Sequence, residues 1–157
     1  MFILEKAAFN FLNAAFFIFK KMEKIIKKLE DAIGMLVGLN AVKYARTGQP
    51  NQWHLHRGDA DIVLHLRADA NLLLLSPLYM LPTDAVEKTE LMEALLEMNH
   101  LFRNENFSLD KTEQVIYFKE QVNIAKKNVS EVYKMIDNFG ILAMRFKSDP
   151  AKAPEFW

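Results

Sequence analysis

The sequence predicts an α+β fold: a helix, a three-strand antiparallel meander, a second helix, a β-hairpin and a third helix, with an extra apolar helix at the N-terminus. Three observations carry this prediction. The hydrophobic period changes from about 3.6 to 2 after residue 39 and returns to the helical value after residue 82. Short turn signals interrupt the alternating stretches, and capping patterns stand where the second and third helices begin. The 157 residues are 51% hydrophobic and 25% charged with five Gly and five Pro, a globular composition, and a chain this long buries roughly 70% of its unfolded surface.

Residues 1–21 are apolar and aromatic, MFILEKAAFNFLNAAFFIFKK. Glu5, Lys6, Asn10 and Asn13 interrupt the run, and a membrane-spanning helix needs about 20 mostly apolar residues. Lys20 and Lys21 stand where a signal peptide would need small residues. The stretch is therefore expected to be an additional helix packed on the domain. Met22 opens MEKIIKKLEDAIG in the manner of a protein start, so residues 1–21 are expected to be an upstream extension of it. From Met22 to about Leu39, Ile25, Ile26, Leu29, Ile33, Leu36 and Val37 recur at helical spacing opposite Lys24, Lys27, Lys28 and Asp31, the pattern of an amphipathic helix.

Gly38, Asn40, Gly48 and Pro50 punctuate a connecting segment. Trp53–Arg57 and Ala60–Arg67 then alternate around Gly58-Asp59, a two-residue hairpin turn. Asp69-Ala70-Asn71 makes the next turn, and Leu72–Leu75 completes the meander, ending at Ser76-Pro77 because proline cannot donate to a ladder. Trp53, Leu55, Ile62, Leu64 and Leu66 share one face, expected against the first and third helices, and the opposite face is expected to be wetter. Asp84 is placed to cap a second helix with Glu87 three residues on, running to about Phe102. Arg103–Asn106 breaks it, and Phe107–Asp110 pairs with Gln114–Val122. Asn128 and Glu131 cap a third helix whose Val129, Val132, Ile136, Phe139, Gly140, Ala143 and Phe146 line one side. The organisation expected is an extension over 1–21, one domain over 22–147 and an extended tail over 148–157, where two prolines precede Phe156-Trp157.

Twenty Lys and Arg balance twenty Asp and Glu, so no global positive field favours nucleic acid. The absence of Cys removes disulfides, thiol nucleophiles and zinc knuckles, and fits a cytoplasmic location. The sequence contains neither GxGxxG nor GxxxxGK[ST], and neither HExxH nor GxSxG. A non-catalytic binding protein without a cofactor is the expectation. The second helix is its most informative segment: Leu91, Leu95, Met98 and Phe102 form one apolar stripe, while Ala85, Met92 and Leu96 form another on an adjoining face. One sheet does not easily cover both, so Ala85, Met92 and Leu96 are the candidate contacts for a protein partner or a homodimer mate. Two alternatives rest on other residues. His54, His56 and His65 share a sheet face that would suit a metal or small ligand, and the Phe-rich extension beside Lys20, Lys21, Lys24, Lys27 and Lys28 would suit a membrane-associated adaptor.

Three passages, WHLHRGDADIVLHL (Trp53–Leu66), LLLLSPLYMLP (Leu72–Pro82) and LMEALLEMNHLFRNENFSLDKTEQVIYF (Leu91–Phe118), resemble the YbjN-type family of bacterial sensory-transduction regulators, and the element order resembles the type III secretion chaperone-like fold. The Arg57-Gly58 turn, the Ser76-Pro77 strand end and the Leu-Glu-Met-Asn helix end carry most of the likeness, which spans roughly residues 22–146 at the level of pattern. The resemblance implies a cytosolic bacterial protein, often dimeric among the chaperone relatives, that presents apolar surface to another chain and has no catalytic residues. Its function would be regulatory or chaperone-like.

Overall fold

The computed structural model describes residues 2–148. Helix α1 (Phe2–Gly38) is a single uninterrupted element, so the apolar extension and the amphipathic segment after Met22 are one helix rather than two. The lysines at positions 20 and 21 do not break it, because Lys side chains keep their charge in water while the backbone stays helical. The connecting segment contains a further strand, β1 (Lys43–Arg46), paired antiparallel with β2 (Gln52–Arg57). The meander therefore has four strands, with β3 (Ala60–Leu66) and β4 (Asn71–Met80) following. Gly48 and Asn51, both with positive φ, belong to the β1–β2 turn and not to a linker.

Strand β4 also runs past Ser76-Pro77, where it was expected to end. Pro77 stands opposite Tyr117, and the ladder to the next strand shifts register between Pro77 and Tyr79, an irregularity that accommodates a residue without an N–H. Helix α2 (Ala85–Leu101), strands β5 (Glu105–Asp110) and β6 (Val115–Asn123), and helix α3 (Val129–Ser148) complete the chain. Strand β5 begins two residues before the predicted start at Phe107. Residues 149–157 lie outside the described residues, and so does most of the predicted tail.

The six strands lie in the order β1-β2-β3-β4-β6-β5, all neighbours antiparallel. The hairpin register matches the alternation in the sequence: Trp53 faces Leu64, Leu55 faces Ile62, and Arg57 faces Ala60 around Gly58-Asp59. Trp53, Leu55, Ile62, Leu64 and Leu66 are all buried, joined on the same side by Leu72, Leu74, Ile116 and Phe118. Helix α3 lies on this face across β2, β3 and β4, and α1 packs along α3. The predicted capping box is present: the Asn128 amide donates to Glu131 Oε2 at 2.7 Å, and the Glu131 amide donates to Asn128 Oδ1 at 2.9 Å. Phe118 stacks on Phe139 with ring centroids 5.0 Å apart. Gly140 lets α3 come close to β2 and β3, since a Cβ there would stand 2.9 Å from the Arg57 side chain and 3.1 Å from Ile62. Arg57 in turn pairs with Asp137, fixing α3 to the hairpin. Among the described residues, no helix is long and apolar enough to cross a membrane.

Candidate functional site

Helix α2 sits apart from the other two, against the edge strand β5. Its start follows the sequence closely: Asp84 Oδ1 accepts from the amides of Val86 and Glu87, each at 3.0 Å. Leu95 and Met98 turn inward and are buried. Phe102, just past the last turn, meets Phe107, Phe118 and Phe146 with centroids 5.7, 5.8 and 6.1 Å away, which anchors that end in an aromatic cluster.

Asn99 supplies the contact that sequence reasoning missed. Its Nδ2 donates to the Phe107 carbonyl at 3.1 Å, and the Phe107 amide donates to its Oδ1 at 2.7 Å. One side-chain amide thus satisfies both outward backbone groups of an edge-strand residue, as a neighbouring strand would. The only sequence signal for it is an Asn within a helix, eight residues ahead of the strand residue it serves.

The second apolar stripe of α2 remains largely uncovered. Leu96 is 58% exposed, Ala85 is exposed and Met92 is half-buried; Val86 and Leu101, on other sides of the helix, are exposed too. Met92 and Leu96 line a shallow groove of about 50 Å³ with Leu95, Asn99, Phe107 and Leu109. Of the three predicted contacts, the structure brings Met92 and Leu96 together beside β5. Ala85 lies at the exposed start of the helix, outside the groove.

The imidazoles do not assemble into a centre. His54 faces Val63, His56 faces Asp61 and His65 faces Gln52. His56 Nδ1 lies 2.6 Å from Asp61 Oδ1 in a solvent-exposed pair. Among the described residues no three metal-ligating side chains are grouped so that they could hold an ion.

No family model and no curated protein matches the sequence. Among solved structures, a chain of the HopA1–SchA chaperone–effector complex aligns with a TM-score of 0.55 and 14% identity, over 78% of this chain and 91% of that one. YbjN from E. coli aligns at 0.47 and 14%, over 76% and 93%. A chain of the ExoU–SpcU complex from the type III secretion system of Pseudomonas aeruginosa aligns at 0.45 and 13%, over 71% and 85%. The first of these likenesses shows the fold, and the chain has the type III secretion chaperone-like architecture that its element order predicts.

Proposed function

We propose that this chain is a non-catalytic, cytoplasmic protein-binding module, regulatory or chaperone-like, that presents the apolar outer side of α2 to a segment of another polypeptide. The observation that carries the reading is Leu96: a leucine in the middle of a well-capped helix, 58% exposed, beside a groove lined by Met92, Phe107 and Leu109. Apolar side chains clustered on one side of a helix gain by desolvation when a partner covers them. Support from comparison is limited to architecture: the HopA1–SchA structure that shares the fold is a chaperone–effector complex. Ala85, about three turns earlier, extends the same side toward the helix start.

The test compares wild type with Leu96→Glu as paired baits in native extract. Leu96 has little core packing to lose, so the variant is expected to keep its circular dichroism and its melting behaviour. A polypeptide retained by wild type and at least tenfold depleted on the variant supports the reading. Equal retention by both baits removes the α2 side from the function.

A further inference from the structure

The side of α1 that closes the core continues into a side that covers nothing among the described residues. Ile25, Leu29, Ala32 and Leu36 are buried, with α1 packed along α3. Phe11 and Ile18 precede Ile25 by two heptads and one, so they stand on that same side of the helix. Leu12 and Phe19 stand beside them and Phe16 farther round the helix, and all five are between 57% and 75% exposed. At about 1.5 Å per residue, the exposed residues 10–21 carry the helix about 18 Å beyond its packed part.

Next to the packed part of the same helix lies an open groove of about 890 Å³. Ile26, Ile33 and Gly34 form one wall, and Tyr44 and Trp53 stand on the other. A Cβ built on Gly34 would meet nothing within 4 Å, so that wall has room for an incoming ring. The arm and the groove lie on one helix; the arm is apolar, and the groove is mainly apolar, with Glu30 on the helix wall and Asn51 and Gln52 on the other as its polar part.

We propose that the arm of one copy occupies the groove of a second, with the two α1 helices antiparallel about a twofold axis near Met22 and Glu23. In that register Phe19 faces the partner's Ile26, Leu12 faces the partner's Ile33, and Phe11 faces the partner's Gly34. Each pairing occurs twice by symmetry. The register sets large side chains against aliphatic or glycine positions, the size match that helix packing requires. With aromatic side chains contributing roughly 150–250 Å² each, the two arms bury on the order of 1,000–1,500 Å² in all, the range of stable interfaces. The arm's wide apolar arc, excessive for a two-helix seam alone, is matched by a groove with two walls. This contact is separate from the α2 surface and does not depend on it.

A lipid surface is the competing occupant, with Lys20, Lys21, Lys24 and Lys27 near its headgroups. Its geometry is worse. Phe11 and Ile18 stand on the side of α1 that packs on the domain, so a flat bilayer lying along the arm would cover Phe17 on another side but not these two.

The chain has no Cys, which makes engineered cross-links unambiguous. Phe19→Cys and Ile26→Cys in one chain are two turns apart, about 10 Å, too far for a disulfide within one helix. Any bridge must therefore join two copies. The expected result is a covalent dimer on mild oxidation of this variant and none from Phe17→Cys/Lys24→Cys, which has the same spacing on the opposite side. Sedimentation velocity should show a wild-type dimer weakened at least tenfold by Phe16→Glu/Phe19→Glu, with circular dichroism retained because both positions are exposed. Three results would overturn the proposal: a wild type that stays monomeric, a dimer that survives Phe16→Glu/Phe19→Glu but dissociates with Leu96→Glu, or flotation of monomeric wild type on phosphatidylglycerol vesicles that the arm variant abolishes. The second assigns self-association to α2, and the third assigns the arm to lipid.

Discussion

Replacing Glu120 with Gln should remove a pH dependence from the stability of this fold. Glu120 alternates with Ile116 and Phe118 on the core side of β6 and is 7% exposed. Leu74 lies opposite it on β4 and Glu105 opposite it on β5. Burial, reinforced by the Glu105 charge and opposed by Lys127, pushes its carboxyl from 4.5 up to about 7. A value raised on folding means that the protonated form is the one the fold favours. The stabilisation is complete below about 4.5 and is lost as pH rises through about 7, because in that window the unfolded chain holds fewer protons than the folded one. At about 1.4 kcal/mol per pH unit the upper bound is about 3 kcal/mol, and solvent screening near the sheet edge lowers the expected loss to about 1–2 kcal/mol. Urea unfolding of wild type and Glu120→Gln at pH 5 and pH 8.5 measures it. The two proteins should be nearly equal at pH 5, with the Gln variant more stable at pH 8.5 by about that amount. Parallel stability curves across this range would refute the reasoning.

Other positions give sharper structural tests. Ile136 is fully buried on α3, so Ile136→Ala should cost about 2–5 kcal/mol in denaturant unfolding; Ile141→Ala, on a half-exposed position, should cost clearly less. Asn99→Ala leaves both Phe107 backbone groups without their partner and should cost about 1–3 kcal/mol, measured the same way. Asn99→Asp should recover only part of this, since a carboxylate can accept from the Phe107 amide but cannot donate to its carbonyl.

Much of this architecture is legible in the sequence where two local signals agree. The β2–β3 register follows from Gly58-Asp59 flanked by strict alternation, because a one-residue slip would expose Trp53 and Leu64. The start of α3 follows from Asn128 and Glu131. Legibility fails where the pattern is short or the chain breaks a local rule. Strand β1 has four residues, too few for a period, and its turn glycine and proline resemble those of a linker. Pro77 looks like a strand terminus because its tolerance depends on a shift in the β4–β6 ladder, a tertiary property. Lys20-Lys21 looks like a boundary although charge on a helix's outer side is compatible with continuation. In the candidate site, the two stripes of α2 are readable from periodicity, whereas Asn99 acts across a change of element that no period encodes.

The unequal fastening of the helices has a further consequence. Helix α3 commits six buried residues and is pinned to the hairpin through Arg57–Asp137 and through Lys147, which donates to the Asp59 carbonyl. Helix α2 buries only Leu95 and Met98, helped by the partly buried Leu91 and Met92, Asn99 and the Phe102 anchor. Local opening should thus begin at α2, and its amides should exchange with solvent ahead of those in α3. Such an opening bares the outer edge of β5 while α1, α3 and the rest of the sheet stay assembled. A partner seated on Leu96 would then act as a clamp, and its affinity would be set partly by how often α2 lets go.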